Sequence, residues 1–349
     1  MRIGLYDPYL NTLGGGEKYV LDIARSFEKH DSIDLFWDDK TIQEGIAERF
    51  GFTFTNLTFK RNIFQKGSFI EKLKTSRSYD AFFFVSDGSI PFLNAKKNFL
   101  IVQFPLPWVT LSTLDTVKMR SISAILCYSS FVKKYIDTTF KLPATVLAPA
   151  VDPIPKGKQG KENIILSVGR FTGGMNTKKQ NRLIDAFIKH KDRFRGWKLV
   201  LIGGVLPQDE GLIHELEEQA KGSAIEILHN IKRERIVEYY QKAKIYWHAA
   251  GFEENLEKHP ERAEHFGITT IEAMSAGVVP VVFGAGGQVE IMEGELQELT
   301  WQSMDELVEK TAIIIKESST FSRLSELALQ RSKKYSFERF SKELTGIIQ

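Results

Sequence analysis

The feature that most limits what this chain can become is an alternation, run through twice, of short apolar stretches with longer amphipathic ones. A short β-branched or aromatic run suits a strand, and a longer run with apolar residues every third or fourth position suits a helix. Strict exchange between the two builds parallel βαβ units. In the first half the pattern predicts strands over 2–6, 33–37, 81–85, 99–102 and 124–128, with helices over 17–27 and 130–137. A lysine-rich segment with two prolines, 152–162, interrupts it and suits an exposed linker. The alternation then resumes, with strands over 163–168, 197–203, 225–228, 245–248 and 278–283 and helices over 179–190, 212–221, 233–243 and 270–276. Helices over 304–318, 322–335 and 337–348 close the chain. The expected fold class is α/β, two doubly wound Rossmann-like domains with a cleft between them, the boundary falling at 152/153.

Composition agrees with two folded domains and removes several function classes. The chain has 349 residues, 42% hydrophobic and 26% charged, ordinary for large cores. Its 47 basic and 44 acidic side chains leave a formal charge of only +3, too near balance for a protein that coats nucleic acid. The single cysteine, Cys127, has no internal disulfide partner, and the chain opens on a strand-like Met1-Arg2-Ile3-Gly4-Leu5-Tyr6 rather than a basic segment and apolar run. No uncharged apolar stretch reaches the roughly 18–20 residues of a membrane span. A cytoplasmic protein is expected.

Three segments carry candidate chemistry. The first strand runs into Leu13-Gly14-Gly15-Gly16-Glu17 at a helix start, where glycines let backbone amides approach an anion at the positive helix end. A tight turn is the alternative. A dinucleotide fingerprint would place a third glycine near Tyr19, so this bulky ring disfavours an NAD-dependent oxidoreductase. Asp38 and Asp39 imitate the ribose-binding acid of that fingerprint, or form a solvated turn. In the second half, a strand ends in Gly169-Arg170-Phe171, and a Gly173-Gly174 loop leads to Lys178 and Lys179 at a helix start. Cations there oppose the helix dipole, which points to a nearby anion such as a pyrophosphate, or else to a solvated basic turn. The third segment is Glu264-His265-Phe266-Gly267-Ile268-Thr269-Thr270-Ile271-Glu272-Ala273-Met274-Ser275-Ala276-Gly277. It combines acids for sugar hydroxyls with amides for phosphate oxygens, although Thr269-x-x-Glu272 also fits a capping box.

These segments, with Leu201-Ile202-Gly203-Gly204 and Gly286-Gly287 followed by Glu290, resemble the retaining glycosyltransferases of family 4, which have the GT-B fold. The resemblance covers nearly the whole chain. It is strongest toward the branch with the lipid-linked mannosyltransferases, through Gly14-Gly15-Gly16-Glu17 and the run from Glu264 to Met274. It implies an acceptor-binding domain over 1–152, a nucleotide-sugar-binding domain over 153–334, and a terminal helix within 335–349 that crosses back to the first domain. Arg170 and Lys178 would stabilise the departing nucleoside diphosphate, with Lys179 as a substitute, and Glu264 would bond the transferred sugar. Phe266, Gly267 and Ile268 would offer amides, Glu272 would hold the ribose, and Gly15 and Gly16 would close over the phosphate. Asn230 and Ile231 fall where the family meets the base.

One departure stands out. Where the family often has a histidine, this chain has Gln103, which hydrogen-bonds but cannot serve as a base. The family is thought to retain configuration by same-face attack, the donor phosphate taking the acceptor proton, so the change bears on sugar selectivity. Gln103 and His248 are the candidate sugar contacts, although a histidine at a strand end is more often a satisfied edge residue. No cofactor and no catalytic metal are expected, and the spacing of His259 and His265 about Glu261 and Glu264 matches no zinc pattern. The stretch 60–77 mixes Lys60, Arg61, Lys66, Lys72, Lys74 and Arg77 with Phe64, Phe69, Ile70 and Leu73, which suits either an anionic membrane surface or a solvated face. The expected activity is hexose transfer from a nucleoside-diphosphate sugar, GDP-mannose first, to a glycan or lipid-linked acceptor in cell-envelope or polysaccharide biosynthesis. A binding protein that has lost catalysis is the rival outside the enzymes.

Overall fold

Ala81-Phe82-Phe83-Phe84-Val85 has no polar face, so it is stable only as a strand covered on both sides, and every one of its residues is buried. It forms a central strand of the first of two parallel sheets in the computed structural model, which describes residues 1–140, 142–157, 160–174 and 177–349. Two compact units divide the chain: Met1–Ala150 with Phe337–Gln349, and Val151–Ser336.

The first unit runs β1 (Arg2–Tyr6), α1 (Gly15–Phe27), β2 (Ser32–Phe36), α2 (Ile42–Phe50), β3 (Leu57–Lys60), α3 (Ile63–Lys66), α4 (Phe69–Ser76), β4 (Ala81–Val85), β5 (Lys97–Ile101), α5 (Thr113–Met119), β6 (Ala124–Cys127), α6 (Ser130–Phe140) and β7 (Ala144–Val146). Its strands lie in the order β3-β2-β1-β4-β5-β6-β7. The second unit runs β8 (Ile164–Val168), α7 (Gln180–Lys189), β9 (Lys198–Gly203), α8 (Glu210–Ala220), β10 (Ile225–His229), α9 (Arg233–Lys242), β11 (Ile245–His248), α10 (Ile268–Ser275), β12 (Val279–Phe283), α11 (Gln288–Ile291), β13 (Thr300–Trp301), α12 (Met304–Lys316) and α13 (Ser318–Ser332). Its order is β10-β9-β8-β11-β12-β13. In each sheet the order reverses between two strands, β1 and β4 in one and β8 and β11 in the other. That reversal opens a crevice beyond the carboxyl ends of those strands.

The interior strands follow the apolar runs to within two residues at each end. The edge strands β3, β7 and β13 and the short helices α2 to α5 are not announced by the pattern. β3 is only half-buried and β7 and β13 have three and two residues, so none needs a continuous apolar run. The segment expected to be an exposed linker is partly inside. Ile154 is buried with its amide on Ser275 Oγ at 3.0 Å, and Lys161 Nζ donates to Ala276 O at 2.7 Å and Tyr240 O at 3.2 Å. These carbonyls lie at the carboxyl ends of α10 and α9, where a cation complements the helix dipole. Burial pulls the Lys161 ammonium down to about 8.

The last helix, α14 (Phe337–Ile348), belongs to the first unit. Phe340 meets Tyr19 edge-on at 5.4 Å, Arg25 lies over the Phe337 ring at 4.1 Å, and Arg339 Nη2 donates to Ala148 O at 2.8 Å. Tyr19, fully buried, also packs on Tyr128 at 4.6 Å. The ring that replaces the third glycine of a dinucleotide fingerprint is thus a core element shared by α1, β6 and α14.

In the second unit a Cβ on Gly203 would sit 2.1 Å from the carbonyl oxygen of Gly169, because β9 and the end of β8 approach backbone to backbone. Gly203→Ala should therefore lower stability by about 1–3 kcal/mol. Gly211→Ala, in α8 with open space around the added methyl, should be neutral or raise stability by about 0.5–1 kcal/mol. Chemical denaturation of both variants checks the pair.

Candidate functional site

The carboxyl ends of β8 and β11 carry the polar residues that a two-sided buried sheet excludes from its interior. β8 leads into Gly169-Arg170 and β11 ends on His248. Gln180 Nε2 holds the turn after β8 by donating to Gly169 O at 3.3 Å and Arg170 O at 3.0 Å, and the Lys178 side chain passes so close to Gly169 that a Cβ there would be 2.7 Å from Lys178 Cγ. Lys178 Nζ then reaches Glu264 Oε2 at 2.7 Å, and His248 Nε2 meets the same oxygen at 2.8 Å. Burial alone would raise the Glu264 carboxyl, but Lys178 and the His248 hydrogen bond outweigh it and hold it well below the ordinary glutamate range. Burial lowers His248, overriding the pull of Glu264, so its ring is neutral.

Glycines set the path of the loop that carries Glu264. A Cβ on Gly286 would be 2.2 Å from Glu264 O, and one on Gly287 would be 2.5 Å from His265 O and Phe266 Cα. Gly287 N–H donates to Glu264 O at 2.7 Å. The chain then turns through Gly267, whose φ of 122° favours glycine, into α10. The amides of Gly267, Ile268 and Thr269 make no hydrogen bond among the described residues, leaving donors at the positive end of this helix. Phe266 turns its ring inward onto Tyr335 at 5.4 Å, so it offers a ligand its backbone only.

Glu272 does not reach back to cap α10. Its Oε1 takes Arg233 Nη2 at 2.5 Å and its Oε2 takes Tyr240 Oη at 3.0 Å, while Thr269 Oγ1 accepts from Tyr246 Oη at 2.8 Å. Gly267 is the N-cap and supplies no side-chain bond. The two lysines at the start of α7 also have a local explanation. Their anions are carboxylates of the chain itself: Lys178 has Glu264, and Lys179 Nζ has Glu254 Oε1 at 2.5 Å, which also takes Arg262 Nη1 through Oε2 at 2.8 Å. Arg170 differs, being exposed with no ion-pair partner among the described residues. Asn230, in the left-handed region with φ 52°, uses its amide on Val205, accepting from N at 3.0 Å and donating to O at 3.2 Å. Ile231 beside it is half-buried.

In the first unit, Gly15 and Gly16 open α1, with Gly14 N–H donating to Glu17 Oε2 at 2.6 Å. Gln103 Nε2 donates to Gly16 O at 3.1 Å, and a Cβ on Gly16 would be 2.5 Å from Gln103 Oε1. Gln103 and Gly16 are therefore one contact. Beyond β1 lies Asp7, fully buried, with Oδ1 accepting from Tyr9 N–H at 2.9 Å and Oδ2 without a hydrogen bond among the described residues. Burial, and then the Glu17 carboxylate, push Asp7 up to about 8. Asp7, Arg233, Tyr240 and Gln180 escape the motif reading. Only Asp7, a carboxyl at the end of an apolar strand, leaves a mark in the sequence.

Residues 152–331 match the family of glycosyl transferases group 1, just over half of the chain, and the chain belongs to this family. Relatives include the GDP-Man:Man(3)GlcNAc(2)-PP-Dol alpha-1,2-mannosyltransferases of Dictyostelium discoideum, 26% identical over 199 residues, and of Homo sapiens, 26% identical over 200. The match takes in 54% of this chain and 37–38% of those relatives' length. Among solved structures, a glycosyltransferase from Rickettsia africae superposes with a TM-score of 0.76 at 16% identity, covering 99% of this chain and 97% of that one. Anabaena HepE, solved with UDP and glucose, gives 0.72 at 18% identity, covering 99% and 98%. The lipopolysaccharide glycosyltransferase WaaG gives 0.64 at 12%, covering the whole of both chains. The fold is GT-B.

The buried Asp7 yields a pH test. An unfolded aspartate ionises near pH 4, whereas folded Asp7 keeps its proton up to about pH 8. Between these values the folded state binds the extra proton, so stability falls as pH rises and levels off above the folded value. Asp7→Asn removes this dependence. Its Tm should exceed that of the unmodified protein by a few degrees at pH 7.5, and the gap should close toward pH 4.5; an equal offset at both pH values contradicts the assignment.

Proposed function

We propose that this protein is a retaining family 4 enzyme that transfers a hexose, mannose from GDP-mannose in the first instance, to a glycan or lipid-linked acceptor in cell-envelope or polysaccharide synthesis. The observation that carries this reading is the Lys178–Glu264–His248 group at the crevice of the second sheet, beside exposed Arg170, which has no ion-pair partner among the described residues, and the open amides of α10. The mannosyltransferase relatives favour GDP-mannose as the donor.

In the reaction, the diphosphate takes the amides of Gly267 and Ile268 and the charges of Arg170 and Lys178, which stabilise it as it departs. Glu264, already ionised, accepts from hydroxyls of the transferred sugar. Glu272, oriented by Arg233 and Tyr240, keeps lone pairs for the ribose diol. Lys179, tied to Glu254, holds the loop before Glu264 rather than the phosphate. Attack comes from the leaving-group face, with the donor phosphate taking the acceptor proton, so no protein base is needed and Gln103 is compatible with transfer. The reaction runs without a metal or a cofactor.

A lipid-linked acceptor implies work at a bilayer surface on the cytoplasmic side. Among the described residues no helix is long and apolar enough to cross a membrane, so contact through 60–77 would be peripheral. Ile63 and Phe64 are in the core, but Phe69 and Ile70 are 50% and 73% exposed on α4, near Lys66, Lys72 and Lys74. Such a face suits anionic lipid.

Thermal unfolding with GDP, UDP, ADP, NAD and their sugar conjugates tests the donor. A ligand at ~100 times its dissociation constant should add about 2.7 kcal/mol of stability, and the expected responders are GDP and GDP-mannose. Glu264→Ala should cut transfer by about 100-fold or more while GDP affinity changes little; loss of both together contradicts the role given to Glu264. For the surface, the protein should sediment with phosphatidylglycerol vesicles and not with neutral ones, and Phe69→Ser with Ile70→Ser should abolish this. Equal sedimentation of the double variant removes 60–77 from the membrane reading.

A further inference from the structure

The Glu264 carboxylate is held through one oxygen. Lys178 Nζ and His248 Nε2 both meet Oε2, at 2.7 and 2.8 Å, and no group among the described residues bonds Oε1. His248 is only 2% exposed, so its ring lies beneath the carboxylate. Because Glu264 is ionised, the nitrogen facing it must carry the hydrogen. The other nitrogen, Nδ1, is buried with no hydrogen bond among the described residues, so it has no acceptor there for a second proton. The nearby Lys178 charge opposes protonation as well. One tautomer is thereby fixed: neutral, hydrogen on Nε2, donating to Glu264.

We propose that His248 is a positioning residue for glycosyl transfer, one that never touches the sugar: its Nε2–H and Lys178 fix Glu264 Oε2 so that Oε1 alone faces the donor sugar. The inference rests on the glycosyltransferase reading and gives this histidine a role distinct from that of a sugar contact. The division of labour follows from chemistry. A lone lysine on a flexible stem would hold the carboxylate at one distance but leave it free to swing, and the same lysine is needed by the departing diphosphate. An imidazole at the rigid end of a buried strand supplies a direction, and being neutral it does so without drawing the carboxylate's charge away from the substrate. A misplacement of about 1 Å at such a group is enough to lose about 100-fold in rate.

The test compares His248→Ala, His248→Gln and Glu264→Ala, singly and with His248→Ala combined with Glu264→Ala. Glutamine places an N–H donor at similar reach. His248→Ala should lower kcat by about 10–100-fold with GDP affinity within threefold of the unmodified protein, and His248→Gln should recover most of the loss. Adding His248→Ala to Glu264→Ala should cost nothing more, since the histidine acts only through that carboxylate. Nitrogen NMR of the unmodified protein should show His248 with a protonated Nε2 and an unprotonated Nδ1 across about pH 4.5–8.5, roughly two units on either side of the ordinary histidine value. No recovery in the glutamine variant, an additive double variant, or a His248 that titrates near its ordinary value overturns the proposal while leaving glycosyl transfer standing. A protein that transfers sugar from no nucleotide donor overturns the glycosyltransferase reading, and this role of His248 with it.

Discussion

The second unit is organised around one carboxylate that must be ionised inside the protein. Removing a charge from water costs several kcal/mol unless partners replace the lost hydration, and Glu264 has two on a single oxygen. Lys178 supplies the opposite charge and His248 a directed hydrogen bond. Neither could arrive without the local backbone. Gly169 gives way to the Lys178 stem, and Gly286 and Gly287 let the following loop lie against the Glu264 segment at distances a side chain would forbid. Glycine here is a requirement of close approach, and the close approach is what delivers the charge.

This arrangement places stability and function in opposition at the same atoms. The basic residues of α7 look misplaced against the helix dipole until their carboxylate partners are counted, and those partners lie in the long loop between β11 and α10. Lys179 with Glu254 and Arg262 is fully paired and reads as a strap for that loop. Arg170 is left exposed, with no ion-pair partner among the described residues. A site that binds a diphosphate needs some positive charge already uncompensated, and some compensated charge that can be shared. In the proposed diphosphate site Arg170 is of the first kind and Lys178 of the second, its three ammonium hydrogens allowing it to keep Glu264 while meeting phosphate oxygen.

Most of the fold was legible because burial on both faces forces an apolar run. The strands that line the two crevices, β1, β4, β8, β11 and β12, all have that form, and the glycines that follow them were visible as turns. What escaped has a common cause. β3, β7 and β13 sit at sheet edges, where a few pairings suffice and no continuous hydrophobic signal is needed. At the site, residue types could be read but partners could not. Nothing in one dimension says that Glu272 meets Arg233 from α9 rather than its own helix cap, or that Asn230 turns onto Val205, because these pairings join segments set side by side only by the strand order. Nor does one dimension show that the histidine at the end of β11 is buried and hydrogen-bonded to Glu264.

The first unit shows how a substitution in a motif can be absorbed by packing elsewhere. Tyr19 takes the place of the small residue that would bring α1 tight against the sheet, and the room it needs is filled by Tyr128 and by Phe340 of the returning terminal helix. At the start of α1, Gly16 faces the Gln103 amide and Gln103 is held by Gly16 O, so Gln103 is built into the glycine turn. Buried Asp7, protonated beside Glu17, lies at the end of the neighbouring strand. Two chemically different crevices on two similar sheets follow from which strand ends carry which charges, and the common topology does not decide it.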